Sequence, residues 1–281
     1  FSGWYFFIRI PVVFPDLVGP IENSIISAEP ERLSFKDFKN TDPNALALLV
    51  KDKNSAWAGL AFGLKSIGIP FSIVETTSEA IEHDVIMVYP ALTGANTAPE
   101  SLRALAEHVR SGGTLMAFSV IGGGMSAVFG FETSTEMPSY TQVEFSDIEF
   151  NSSFTSSRAE SIISLSEDDN QESGLSGISY KNPKHMPVAY FDDGSAAITH
   201  NFFDSDNGTG HAYAIGFELG HFILRATGGR FVQLADSYVN EYQPKIDTFL
   251  RFFAKVYQQG EKNAVLFSPT PMAADLTILM T

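Results

Sequence analysis

From Ala45 to Ser119 short apolar runs alternate with longer amphipathic segments, and this alternation restricts the possible folds more than any other feature of the chain. Ala45 to Val50 (ALALLV), Phe71 to Val74 (FSIV), Asp84 to Tyr89 (DVIMVY) and Thr114 to Phe118 (TLMAF) read as four strands. A strand with one wet face alternates polar and apolar residues, whereas near-continuous apolar runs mark strands covered on both faces. Between the first two runs, Trp57, Leu60, Ala61, Leu64 and Ile67 recur at helical spacing over Ser55 to Ile67. Ser55 is the expected N-cap of that helix, and Gly68 the residue of positive φ just past its end. Pro99 opens a second helix with Leu102, Leu105, Ala106 and Val109 on its apolar face, and Gly112-Gly113 closes it. Strands joined by helices in this way predict a parallel sheet flanked by helices, an α/β fold.

After Gly130 the pattern changes. Thr141 to Phe150 (TQVEFSDIEF), Ser161 to Leu165 and Val188 to Phe191 alternate with period two, and Asp192-Asp193-Gly194 is a hairpin turn between two such runs. Ala196 to Phe202 and Ala212 to Phe217 complete an expected antiparallel β insertion at about residues 131–217. Ser164 to Ser179 is polar and reads as a surface loop. Pro244 to Tyr257 puts Ile246, Phe249, Leu250, Phe253 and Val256 on one helical face. The organisation that follows is an N-terminal extension over 1–44, an α/β domain over 45–262 carrying the β insertion, and a linker with one apolar strand over 263–281. The opening segment Phe1 to Phe14 (FSGWYFFIRIPVVF) is apolar but broken by Arg9 and Pro11. It falls short of the roughly 20 apolar residues a bilayer span needs. It reads as a strand packed on the domain, with the tail of a removed membrane segment as the alternative. A chain opening on Phe rather than Met reads as processed or cut.

Composition excludes several functions. With 18 Lys and Arg against 33 Asp and Glu, the net charge of −15 argues against nucleic acid and against an anionic membrane surface. The absence of cysteine removes disulfides, thiolate metal sites and a cysteine nucleophile together. At 44% apolar residues the chain has ample material for a core.

The candidate chemistry is sparse. Gly122-Gly123-Gly124 follows the fourth strand and precedes a short helix, Met125 to Phe129; a tight turn explains it, and an anion cradle is the alternative. The full dinucleotide pattern is missing. Asp204 to Gly208 (DSDNG) resembles the first half of a calcium loop, but the twelfth position is Ile215 rather than Glu, so a polar turn is the better reading. Among the six histidines, at 83, 108, 185, 200, 211 and 221, none forms a close-set helical ligand pair. His200 and His211 flank one hairpin and can approach each other; hydrogen-bonded structural histidine is the default there, and a metal the alternative. Ser119 ends the fourth strand without a G-x-S-x-G elbow or a histidine placed in sequence to help it. Open α/β sheets bind ligands at the carboxyl ends of their strands. The candidate ligand contacts on that side are Tyr89, Ser119, Gly122 and Gly123, with Tyr89 and Phe118 as stacking platforms. No catalytic residue, cofactor or catalytic metal is expected in this chain.

The run ALALLV–helix–FSIVE–DVIMVYP–helix–GGTLMAFSV, about Ala45 to Gly130, resembles the class I glutamine amidotransferase-like fold in its order of strands and helices. Ala214 to Gly220 (AIGFELG) is similar to that family's strand bearing the catalytic histidine, written G-x-Q-F-H-P-E, but Glu218 stands where the histidine would. With no cysteine nucleophile either, the resemblance implies a flavodoxin-like or amidotransferase-like parallel sheet without glutaminase activity, with Glu218 as a further candidate ligand contact. The segment VAYFDDGSAAITHNFFDSDNGTGHAYAIGFELG is similar to accessory domains attached to carbohydrate enzymes. Leu276 to Thr281 (LTILMT) resembles the strand that introduces polysaccharide deacetylase catalytic domains, where it runs into a His/Thr-Asp-x-Asp metal motif. The resemblance implies a non-catalytic accessory domain of a polysaccharide deacetylase, periplasmic, cell-surface or extracellular. Its partners would be the polysaccharide or the adjacent deacetylase domain, and a divalent metal such as zinc would sit in that following domain. An independent sugar-binding module and a serine hydrolase using Ser119 are the alternatives.

Overall fold

The structure, a computed structural model, describes residues 34–40, 42, 44–165, 174–226 and 244–261. The N-terminal strand expected at Phe1 to Phe14, the strand at Leu276 to Thr281 and the middle of the loop expected at Ser164 to Ser179 lie outside the described residues.

The four apolar runs form β1 (Leu46–Val50), β2 (Phe71–Val74), β3 (Val85–Tyr89) and β4 (Thr114–Phe118), and every residue in them is buried. They pair in the order β2-β1-β3-β4, all parallel, as their apolar character requires. The crossovers are α1 (Trp57–Ser66), α2 (Thr77–Ala80) and α3 (Pro99–Arg110). Pro99 takes the first helical position and Gly68 adopts φ 73°, as expected. The expected cap is corrected: α1 starts after Ala56 without a side-chain cap, because the Ser55 hydroxyl donates to the Asp52 carbonyl at 2.6 Å.

Beyond β4 come α4 (Ser126–Phe129), β5 (Thr133–Tyr140), β6 (Gln142–Phe145), α5 (Glu149–Ser152), α6 (Arg158–Ser161) and β7 (Ile162–Ser164). Then follow β8 (Leu175–Lys181), β9 (Ala189–Phe191), β10 (Ala196–Ser205), β11 (Gly208–Ile215), α7 (Leu219–Ala226) and α8 (Pro244–Gly260). One mixed sheet of 11 strands results, in the order β2-β1-β3-β4-β11-β10-β9-β6-β7, with β8 attached to β10 and β5 to β8. β11 joins the two halves: it runs antiparallel to β10 and parallel to β4. The Asp192-Asp193-Gly194 turn is as expected, with Gly194 at φ 79° and its N–H donating to Phe191 O at 3.0 Å.

Two further expectations are corrected. The run Thr141 to Phe150 stops being a strand at Phe145, and Glu149–Ser152 is helical. Asn151 turns the chain there, its buried amide donating to the carbonyls of Ser146 and Val188, both at 2.8 Å. Leu175 to Ser179, read as loop, belongs to β8, which pairs along β5 and meets β10 at one residue.

Alternate residues of β1 serve opposite faces of the sheet. Leu46, Leu48 and Val50 pack with residues of α1, α7 and α8, while Ala47 and Leu49 pack with residues of α3 and α4. All five apolar positions read on α8 are buried, from Ile246 at 7% exposed to Phe249 at 0%.

Candidate functional site

The strand order reverses between β1 and β3: β2 follows β1 in sequence on one side of it, and β3 lies on the other. In open α/β sheets the crevice beyond the carboxyl ends at such a reversal is the place left for ligands. An open cleft of about 430 Å³ lies there, lined by Asp52, Asn54, Ser55, Pro90, Glu218 and His221.

Three strand ends build it. β1 leads into a tight turn in which Asp52 Oδ1 accepts the Asn54 N–H at 2.9 Å, so the carboxylate is held by its own loop. β3 leads into the cis Tyr89–Pro90 bond, and the Lys51 N–H donates to Tyr89 O at 2.8 Å, tying the two ends together. β11 leads through Gly216 and Phe217 to Glu218, immediately before α7.

Beneath the cleft the Tyr89 hydroxyl donates to Glu218 Oε1 at 2.5 Å. Burial, and then the Glu218 hydrogen bond and charge, hold the Tyr89 phenol far above its ordinary range, so it remains a neutral donor. Two glycines make this geometry possible. A Cβ on Gly59 would lie 2.2 Å from Gly220 O, and one on Gly220 would lie 2.6 Å from both Tyr89 Oη and Ala56 O. α1 and α7 therefore meet glycine to glycine, which brings Glu218 and His221 alongside Asn54 and Ser55. Two carboxylates that accept, with amide, hydroxyl and imidazole groups that donate or accept, suit a ligand rich in hydroxyl or amide groups.

Of the residues expected at the site, Glu218 lines the cleft and Tyr89 supports it from below. The stacking role is corrected: Tyr89 and Phe118 are both 0% exposed and pack edge to face on each other at 5.4 Å, so neither ring is open to a ligand. Ser119, Gly122 and Gly123 are not among the cleft's lining residues. Ser119 has φ 46°, uncommon for a residue with a side chain, and its N–H donates to Ile215 O at 2.8 Å. Among the described residues no histidine is hydrogen-bonded to Ser119. Gly122 to Gly124 have φ 64°, 65° and 72° and form the tight turn into the four-residue α4. Asp204 accepts from the Thr209 hydroxyl at 3.0 Å across the β10–β11 turn, in keeping with a polar turn there.

Asp52, Asn54, Ser55 and His221 were not legible as site residues. The available signal was positional: Asp52 to Ser55 (DKNS) directly follows the first apolar strand, where a parallel sheet presents its loops. Among the described residues no helix is long and apolar enough to cross a membrane, and no group of three or more His, Asp, Glu or Cys is placed to hold a metal ion.

No family model and no curated protein matches the chain. Solved structures do match over part of it. The carbohydrate deacetylase Agd3 is similar at 17% identity and a TM-score of 0.40, covering 64% of this chain and 32% of its own. A β-galactosidase from the haloarchaeon Halorubrum lacusprofundi is similar at 11% identity and a TM-score of 0.41, covering 68% of this chain and 31% of its own. The N-terminal domain of mmIFT52 is similar at 12% identity and a TM-score of 0.47, covering 79% of this chain and 99% of its own. The chain thus spans about a third of the length of the two enzymes. Likenesses of this strength decide nothing about activity.

Proposed function

We propose that this chain is a non-catalytic accessory domain of an exported polysaccharide-deacetylating protein, and that it holds glycan in the cleft beyond β1, β3 and β11. The observation that carries the reading is Glu218, fastened to Tyr89 and set beside Asp52, Asn54 and Ser55 in an open cleft at the reversal of strand order. In the amidotransferase-like pattern Glu218 takes the place of the catalytic histidine. A carboxylate committed to a buried tyrosine is suited to accept hydrogen bonds from a ligand, not to relay protons to a nucleophile. The finer fold assignment belongs to the same reading: the parallel order β2-β1-β3-β4-β11 follows the flavodoxin-like pattern, whose ligand site lies between β1 and β3. The deacetylation itself, with a divalent metal such as zinc, falls in this reading to a separate catalytic domain.

Calorimetry with acetylated amino-sugar oligosaccharides and their deacetylated forms tests it. Saturable binding that Asp52→Ala abolishes and Ser119→Ala leaves intact supports the reading. Lack of binding to every glycan, or binding indifferent to Asp52, overturns it.

A second reading has one observation in its favour. Ser119 sits at a strand end with positive φ, as an exposed nucleophile would. Esterase or amidase turnover lost in Ser119→Ala would establish that serine-hydrolase reading and displace the first.

A further inference from the structure

The β10–β11 hairpin carries a second cluster, on strands remote in sequence from the cleft loops at Asp52 and Pro90. His200 pairs across the ladder with Tyr213, and Phe202 with His211, so the two histidines are diagonal neighbours on one face. His200 Nε2 lies 3.1 Å from His211 Nδ1. The His200 ring is stacked on Tyr213, with centroids 4.3 Å apart and planes 7° apart. The Tyr213 hydroxyl in turn donates to Gln259 Oε1 at 2.6 Å, which leaves the Gln259 amide nitrogen facing His211 Nδ1 at 3.4 Å. His211 Nδ1 therefore faces a nitrogen that carries hydrogens and must itself be the acceptor, with His200 Nε2 the donor of the bond between the rings.

We propose that His200 and His211 form a binding site for a divalent transition-metal ion, two imidazoles completed by water, that clamps β10 to β11. Metal–imidazole bonds are about 2.0–2.1 Å, so two nitrogens on one ion stand about 3.3–3.4 Å apart at a tetrahedral angle and about 2.9 Å apart at a right angle. The observed 3.1 Å falls between these limits; the two nitrogens now point nearly head-on at each other, and both rings turn to direct their lone pairs onto a shared ion. His211 Nδ1 already presents a lone pair. His200 frees its own by moving its proton from Nε2 to Nδ1, a change of tautomer with no net proton lost. Asp204, whose charge acts on His211, adds attraction for a cation. With only two protein ligands the site is open and exchangeable, unlike a closed structural zinc centre.

The test is titration of the full chain with Cu²⁺, Ni²⁺, Zn²⁺ and Mg²⁺ near pH 7.5, by calorimetry and by NMR of the imidazole signals. One Cu²⁺, Ni²⁺ or Zn²⁺ per chain is expected to bind, Cu²⁺ most tightly, with Mg²⁺ inert. His200→Gln and His211→Gln should each weaken binding at least tenfold, while His83→Gln, just before β3 with its ring nitrogen at Ala45 O, leaves it unchanged. In the unmodified chain, substoichiometric Cu²⁺ should broaden the His200 and His211 signals first, a readout that does not depend on the variants folding. No saturable binding, affinity left unchanged by either His200→Gln or His211→Gln, or first broadening at another histidine would overturn the proposal.

Discussion

The parallel and antiparallel halves of the sheet divide the work of this protein differently. In β1 to β4 every residue is buried, so these strands have no exposed face on which to carry chemistry. Polar groups can appear only where the strands end, and there the cleft with Asp52 and Glu218 lies. In β10 the first half is buried and the second half alternates with solvent, so His200 and its neighbours sit on a strand face. β11 shows both regimes along eight residues, alternating beside β10 at its start and wholly buried between β4 and β10 at its end. A strand covered on both faces acts through its termini; one covered on a single face can act along its length.

Core truncation should break the molecule hardest in the parallel half. Phe118→Ala, at a position 0% exposed, should cost about 3–5 kcal/mol. Phe202→Ala on the antiparallel β10, at a position 41% exposed where the ring stacks on His185, should cost only about 1 kcal/mol. Urea denaturation of the two variants measures the contrast, and equal losses would break it.

Glycine substitutions sharpen the same contrast. Gly220→Ala forces a Cβ against Tyr89 Oη and Ala56 O and should cost about 1–3 kcal/mol through overpacking. Gly194→Ala in the β9–β10 turn meets nothing within 4 Å, so only its φ of 79° opposes the change, at about 1–2 kcal/mol. Thermal denaturation should rank them so, and only the first should also disturb glycan binding.

The legible part of this fold was the part with no choice. Runs such as ALALLV cannot be half-exposed, so the parallel strands and α3 could be located from sequence with little error. The antiparallel half was harder to read because its pattern is weaker. β5 (TSTEMPSY) is exposed along most of its length and offers no apolar alternation, and Thr141 to Phe150 kept its period of two straight through the turn that Asn151 imposes. At the site, Glu218 was legible only through the resemblance. Its partner Tyr89 lies 129 residues away, and no local pattern reports such a contact.

The smallest expected effect concerns pH. Tyr180 and Tyr213 are held, like Tyr89, well above the ordinary phenol range by burial, and Tyr257 is pushed up to about 12, again chiefly by burial. With folded-state values above the unfolded value near 10, their contribution to stability is complete below about pH 10 and is lost as pH rises through the folded values. Tyrosinate absorbance should therefore rise together with loss of structure under alkali. Buried phenols that ionise while the fold persists would contradict the packing assigned to both halves.

On the proposed function, this molecule meets glycan at the ends of its parallel strands. Amide NMR of the labelled chain, titrated with the tightest-binding oligosaccharide, tests it most directly. Shifts confined to Asp52–Ala56, the residues flanking Pro90, and Glu218–His221 are expected. Shifts centred instead on Gly122–Gly124 or on β5 and β8, with the cleft silent at saturation, would contradict it.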